Sequence, residues 1–137
     1  MVMSQTSLAP RVLIVEDEFL IAMELEAALG DGGFEVLGPI PTIAAALTIL
    51  QSERPDCAVL DLSLRGELVT PVAELLIILE VPFLVASAYG RSDFDGCAAL
   101  LGAINVGKRA DPKQLIEAID ALIGNGGTGQ KRERGAL

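Results

Sequence analysis

Short, continuous runs of apolar residues recur along the chain at intervals of about 20 to 25 residues. They are rich in Val, Ile, Leu and Ala, and each is four to five residues long. Runs of this length and composition are typical of strands that are buried on both faces of a sheet. The pattern predicts five strands, at residues 11–15, 34–38, 57–61, 83–87 and 103–107.

Between these runs the apolar residues recur every three to four positions, which is the spacing of an amphipathic helix. Thr42, Thr70-Pro71 and Asp111-Pro112 are typical helix starts, and Gly30 is a typical helix end. Five helices are predicted, at residues 19–29, 42–53, 70–80, about 93–101 and 111–123. Strict alternation of strand and helix favours a doubly wound α/β fold with a five-stranded parallel sheet and right-handed crossovers.

A length of 137 residues suits one domain, which we expect to span residues 11–123. Residues 1–10 and the Gly-rich, then charged, residues 124–137 are expected to be disordered. Residues 1–10 lack the basic segment followed by an apolar segment that is typical of a signal peptide. We therefore expect a cytoplasmic location.

The hydrophobic content of 51% and the mean hydropathy of +0.50 fit either a membrane span or a buried parallel sheet. The most apolar stretch, residues 73–88, contains Glu74, Glu80 and Pro82, which disfavour a membrane helix. The net charge of −9 disfavours binding to nucleic acid or to anionic lipid. We therefore expect the buried sheet and neither of those partners.

The chain contains no histidine, which excludes Ser-His-Asp and Cys-His catalysis and the usual zinc sites. Its two cysteines, Cys57 and Cys97, do not make a disulfide framework and are expected to be buried thiols in a reducing compartment.

Polar side chains lie where the predicted strands end. Glu16 and Asp17 follow the first strand, Asp61 and Ser87 end the third and fourth strands, and Lys108 lies just past the fifth. Parallel strands bring such residues to one edge of the sheet, where clustered carboxylates would repel one another unless they were protonated or bound a metal. Mg²⁺ is the natural cation for such a site. With Mg²⁺ bound, Asp61 could stay ionised and act as a nucleophile toward phosphorus. Lys108 and Ser87 would then contact the phosphoryl oxygens.

The stretches VLIVEDE, AVLDLSL, FLVASAYG and VGKRADPKQL, in this order, resemble the response-regulator receiver family over residues 11–123. The resemblance implies a flavodoxin-like (βα)5 fold with strand order 2-1-3-4-5. It implies Mg²⁺ held by Asp17 and Asp61 directly, by Glu16 through water and by the backbone carbonyl of Ser63. It also implies phosphorylation of Asp61 by a histidine kinase or a phosphotransfer protein in a two-component phosphorelay, after which Ser87 moves toward the phosphoryl group and Lys108 pairs with it.

The sequence departs from the family pattern at two positions. Arg109 replaces the proline that usually follows the lysine, and Asn105 replaces the usual aromatic switch residue. Tyr89 is either its substitute or a surface aromatic, and both interpretations stay open. Residues 82–90, PFLVASAYG, resemble the PFxFATGYG signature of an alphaproteobacterial single-domain subgroup.

Three functions compete. A phosphorylation switch without an effector domain would act by binding an unknown output protein or by draining phosphate from a kinase, as a monomer or a weak homodimer through the fourth helix, fifth strand and fifth helix. A phosphohydrolase of the haloacid-dehalogenase type needs a second Asp two residues after the nucleophile, where Ser63 stands, so we expect no enzyme. The alternative is a phosphorylation-independent protein interaction module on the same fold.

Overall fold

The computed structural model describes residues 9–85, 104–105 and 112–126. Strands and helices alternate along most of this part of the chain, as the apolar pattern predicts, with two additional short strands at residues 63–64 and 67–68. The strands are β1 (Arg11–Val15), β2 (Glu35–Ile40), β3 (Cys57–Leu60), β4 (Ser63–Leu64), β5 (Glu67–Leu68), β6 (Phe83–Val85) and β7 (Ile104–Asn105). The helices are α1 (Phe19–Asp31), α2 (Ile43–Ile49), α3 (Thr70–Ile78) and α4 (Pro112–Gly126), and the helix predicted at about 93–101 lies outside the described residues.

The main sheet has the order β2-β1-β3-β6-β7, with every neighbouring pair parallel. Because β6 and β7 are the fourth and fifth predicted strands, this order confirms the predicted 2-1-3-4-5 arrangement. The fold is therefore a flavodoxin-like α/β fold, in which the carboxyl ends of the strands form one edge.

Two apolar layers cover the two faces of the sheet, and alternate residues of β1 point into each. Leu13 and Val15 belong to the layer formed with α2 and α3, whereas Val12 and Ile14 belong to the layer formed with α1 and α4. All four residues are fully buried. Burial on both faces is the reason why residues 12–15 of β1 and 57–60 of β3 are continuous apolar runs in the sequence.

The segment that follows Asp61 contains two short strands where the sequence pattern predicts neither a strand nor a helix. Ser63 and Leu64 instead pair in antiparallel fashion with Leu68 and Glu67. Arg65 and Gly66 connect them with φ angles of 51° and 85°, the pattern of a two-residue type I′ turn. A Gly at the second turn position favours this hairpin, although Arg at the first is an unusual choice.

All four described helices end at residues other than those predicted. Helix α1 continues through Gly30 to Asp31, α3 ends at Ile78 rather than near residue 80, and the other two helices differ by more. Helix α2 ends at Ile49 rather than near residue 53, and α4 continues to Gly126, beyond the expected end at Ile123. Glycine costs a helix about 1 kcal/mol relative to alanine, so Gly124 and Gly126 indicated an end that the helix does not have there. The predicted domain boundaries otherwise stay predictions.

The apolar stretch at residues 73–88 is divided between α3 and β6 as far as the structure describes it. Among the described residues no helix is long and apolar enough to cross a membrane.

A bulge in β2 aligns the carboxyl ends of β1 and β2. Leu13 pairs with Leu37, but Val15 pairs with Ile40, so β2 has one extra residue between these pairs. Gly38 lies there with φ of 104°, a conformation that favours glycine. Beyond the bulge, the amide of Glu16 donates to the carbonyl of Ile40 at 2.9 Å. The bulge thus fixes the backbone at the first acidic residue.

Cys57 is a buried thiol at the start of β3. Burial raises its pKa from 9.0 to about 12. In the unfolded chain the thiol ionises at lower pH than in the folded protein, so its contribution to stability is complete below pH 9 and is lost as the pH rises toward 12. The loss is at most about 1.4 kcal/mol per pH unit.

We therefore expect the stability difference between wild type and Cys57→Ala to shrink as the pH rises. Urea unfolding of both proteins at about pH 8 and about pH 10.5 measures that difference. Because all other titrating groups are shared, a difference that is the same at both pH values would contradict the proposed ionisation.

Candidate functional site

Three acidic side chains meet at the carboxyl edge of the sheet. Glu16 and Asp17 follow β1 directly, and Asp61 follows β3, its parallel neighbour. The register pairs Val15 with Leu60, and the amide of Asp61 donates to the carbonyl of Val15 at 2.9 Å. One carboxylate oxygen from each of the three residues lies within 4.8 Å of the other two.

The three carboxylates differ in their exposure to solvent. Glu16 and Asp61 are 2% and 5% exposed, whereas Asp17 is half-buried. Removing carboxylates from water and placing them side by side is unfavourable unless a cation or hydrogen bonds compensate. A set of oxygen ligands open to solvent on the Asp17 side fits a hard divalent cation such as Mg²⁺, which keeps some of its waters.

Backbone amides orient two of these carboxylates. The amide of Glu18, the residue that precedes α1, donates to Oε2 of Glu16 at 3.0 Å. The amide of Arg65, in the turn of the β4–β5 hairpin, donates to Oδ2 of Asp17 at 3.0 Å. Sequence reasoning missed the second contact, and the only signal for it was the Arg65-Gly66 dipeptide, which is weaker than Asn-Gly or Asp-Gly.

The roles of the other predicted site residues stay predictions. Ser63 is half-buried in β4, two residues after Asp61, and the role of its carbonyl as a metal ligand stays a prediction. Ser87, Tyr89, Lys108 and Arg109 lie outside the described residues. The strands β6 and β7, which precede these residues in the chain, are paired in order beside β3.

No protein-family model matches the chain. It is 30% identical over 115 residues to the transcriptional regulatory protein PdtaR of Mycobacterium tuberculosis, covering 82% of this chain and 56% of PdtaR. It is 38% identical over 85 residues to the phyllosphere-induced regulator PhyR of Methylorubrum extorquens, covering 60% of this chain and 32% of PhyR. The chain thus spans about half the length of PdtaR and a third of that of PhyR.

Two solved structures are similar over nearly their whole length. A CheY-like response regulator receiver domain of Methanospirillum hungatei has a TM-score of 0.78 at 22% identity, covering 88% of this chain and 98% of that chain. The BeF3-activated conformation of SdrG from Pseudomonas melonis has a TM-score of 0.70 at 34% identity, covering 82% of this chain and 95% of that one.

PdtaR and PhyR are both named as regulators, and receiver domains as a class are signalling modules rather than classical enzymes. The chain belongs to the response regulator family and is a receiver domain of the kind used in two-component systems. Domains of this family bind Mg²⁺ in an acidic pocket and interact with histidine kinases or phosphotransfer proteins. The similarity to PhyR is consistent with the subgroup suggested by residues 82–90.

Proposed function

We propose that this receiver domain accepts a phosphoryl group on Asp61 with the help of Mg²⁺. The observation that supports the proposal is the meeting of the Glu16, Asp17 and Asp61 carboxylates within 4.8 Å at the carboxyl edge of the sheet. Asp61 follows the central strand β3, whereas Glu16 and Asp17 follow β1, its neighbour on one side. On the other side of β3 lie β6 and β7, the strands that precede the proposed Ser87 and Lys108 in the chain. Glu16, Asp17, Asp61 and the Ser63 carbonyl are the proposed protein contacts of the metal and its waters.

Bound Mg²⁺ would offset the mutual repulsion of the carboxylates and the charge of the incoming phosphoryl group. Asp61 then attacks phosphorus, so that a new O–P bond forms on its carboxylate while the bond from phosphorus to the donor breaks. The donor keeps the electron pair of that bond. Lys108 and Ser87 would contact the transferred oxygens, since positioning and charge stabilisation supply most of the catalysis in phosphoryl transfer.

The donor we propose is a histidine kinase or a phosphotransfer protein in the cytoplasm. The similarity to SdrG supports phosphorylation of the acidic site, because SdrG has a BeF3-activated conformation and BeF3 imitates a phosphoryl group. Phosphorylation would replace the single negative charge of the Asp61 carboxylate with about −1.5 to −2 charges, which would shift the loops around Asp61 and change the surface that binds an output protein. Tyr89, Ser63 and Arg109 are the residues we propose to tune this response. Draining phosphate from a kinase would use the same chemistry without an output protein.

Acetyl phosphate tests the proposal without knowledge of the kinase. We expect wild-type protein to gain the mass of one phosphoryl group in the presence of Mg²⁺ and none in EDTA, as measured by intact-mass spectrometry. Asp61→Asn should gain none under either condition, because the amide is not a nucleophile toward phosphorus.

The matched control is Asp120→Asn, which removes an equal charge at an exposed position of α4 and should be labelled like wild type. Equal labelling of wild type and Asp61→Asn would refute the assignment of Asp61. A wild type that binds Mg²⁺ but takes up no phosphate would favour the phosphorylation-independent interaction module.

A further inference from the structure

The hairpin β4–β5 lies between Asp61 and α3 and reaches back to the acidic residues after β1. Its turn contacts Asp17, which is 48 residues away in the sequence, through the hydrogen bond from the Arg65 amide to Oδ2. Arg65, Gly66, Glu67 and Leu68 are exposed. The contact therefore comes from a surface turn and not from the packed core.

The base of the same hairpin is firmly held. Leu62, Leu64 and Val69 are 2%, 1% and 0% exposed and belong to the apolar layer under α2 and α3. The amide of Val69 donates to the carbonyl of Leu62 at 2.9 Å and closes the base. With its base buried and its two strands paired, the hairpin presents the Arg65 amide at a fixed place.

We propose that the β4–β5 hairpin is a positioning element for the metal site, in which the Arg65 amide holds the Asp17 carboxylate in place beside Asp61 and Glu16. The inference rests on the proposed function, because it concerns the affinity of that site for Mg²⁺. Asp17 is the most exposed of the three acids and the one that follows the strand end by two residues, so its side chain has the greatest freedom to turn toward solvent.

A backbone amide suits this role for two physical reasons. It is a donor whose position is set by the hairpin, so the hydrogen bond costs no side-chain entropy on the donor side. A carboxylate has two oxygens and about four acceptor positions, so one amide leaves the capacity to bind a cation. Partners that orient a metal ligand in this way typically change metal affinity by about 10- to 100-fold.

The decisive variant is Gly66→Val. Gly66 has φ of 85°, which a β-branched residue rarely adopts, yet a Cβ at this position would meet no atom within 4 Å. The substitution therefore strains the backbone of the turn itself, while the added Cβ lies in open space. We expect the dissociation constant for Mg²⁺, measured by titration calorimetry, to rise about 10-fold.

Gly33→Val is the matched control. Gly33 has a similar φ of 92° and equally open surroundings, but it lies between α1 and β2, at the opposite edge of the sheet. It should lower stability to a similar extent and leave Mg²⁺ affinity unchanged. Arg65→Asn keeps the amide, suits a positive φ and removes the guanidinium, so it should bind Mg²⁺ at least as tightly as wild type.

A second measurement reports the hydrogen bond without any metal. In EDTA, Asp17→Ala should shift the amide proton resonance of Arg65 upfield and speed its exchange with solvent, while Asp120→Ala should do neither.

The outcomes separate the two proposals. If wild-type protein takes up no Mg²⁺, the proposed function fails. If wild type binds Mg²⁺ and Gly66→Val binds it equally well, only the positioning role of the hairpin fails. A loss of affinity in Arg65→Asn equal to that in Gly66→Val would assign the effect to the guanidinium and overturn the role of the amide.

Discussion

Metal-free Asp61→Asn protein is expected to be more stable than metal-free wild type by about 1–3 kcal/mol. Three carboxylate oxygens lie within 4.8 Å of one another, and two of the residues are buried. At an effective dielectric constant of about 20, two charges at such a distance repel by roughly 3–4 kcal/mol. Asparagine keeps the size of the side chain and removes one of the charges.

Magnesium should reverse the order of stability. Ligand that binds only the folded state stabilises it by about 2.7 kcal/mol at 100 times its dissociation constant, and wild type should gain this stability. Asp61→Asn should gain much less, because it lacks one anionic ligand. Thermal unfolding of both proteins in EDTA and in Mg²⁺ checks the prediction, at about 2–4 °C per kcal/mol for a chain of this size.

Asp120→Asn serves again as the control, since it changes the net charge by the same amount on the exposed side of α4. It should leave both the EDTA and the Mg²⁺ melting temperatures close to those of wild type. An Asp61→Asn protein that melts below wild type in EDTA would show that hydrogen bonds to the carboxylate outweigh the repulsion.

Gly38→Ala is expected to destabilise the protein by about 2–4 kcal/mol. Gly38 has φ of 104°, and a Cβ there would lie 2.8 Å from the amide nitrogen of Ile40 and 2.9 Å from the carbonyl oxygen of Ile14. Both atoms are backbone, so the contact cannot be relieved by a side-chain rotation. The bulge would have to rearrange, and the hydrogen bond from the Glu16 amide to Ile40 would be disturbed with it.

Gly30→Ala provides the comparison for this substitution. Gly30 lies within α1, and a Cβ there would meet no atom within 4 Å. Alanine should therefore stabilise the helix by about 0.5–1 kcal/mol. Urea unfolding of both variants measures the two changes, and equal free energies of unfolding would show that the β2 bulge tolerates a side chain.

The chain sequence determined the strands, their order and the acidic residues at their ends. Strands such as β1 and β3 are buried on both faces, so their apolar runs are continuous and can be recognised from the sequence alone. Strict alternation with helices leaves few topologies, and the resemblance to receiver domains selected the one that the structure has. The meeting of Glu16, Asp17 and Asp61 follows from the same parallel arrangement, because Glu16 and Asp61 stand directly after neighbouring strands and Asp17 comes one residue later.

Only the tertiary structure revealed the β4–β5 hairpin, the β2 bulge and the contact between Arg65 and Asp17. The residues at these places carry weak local signals: Arg65 is unusual in a type I′ turn, and Gly38 alone does not specify a bulge. Their conformations depend on partners far along the chain, such as the buried layer under Leu64 and the paired end of β1. Apolar periodicity reports which face of an element is buried, whereas a hydrogen bond between two loops depends on distances that only the packed fold fixes.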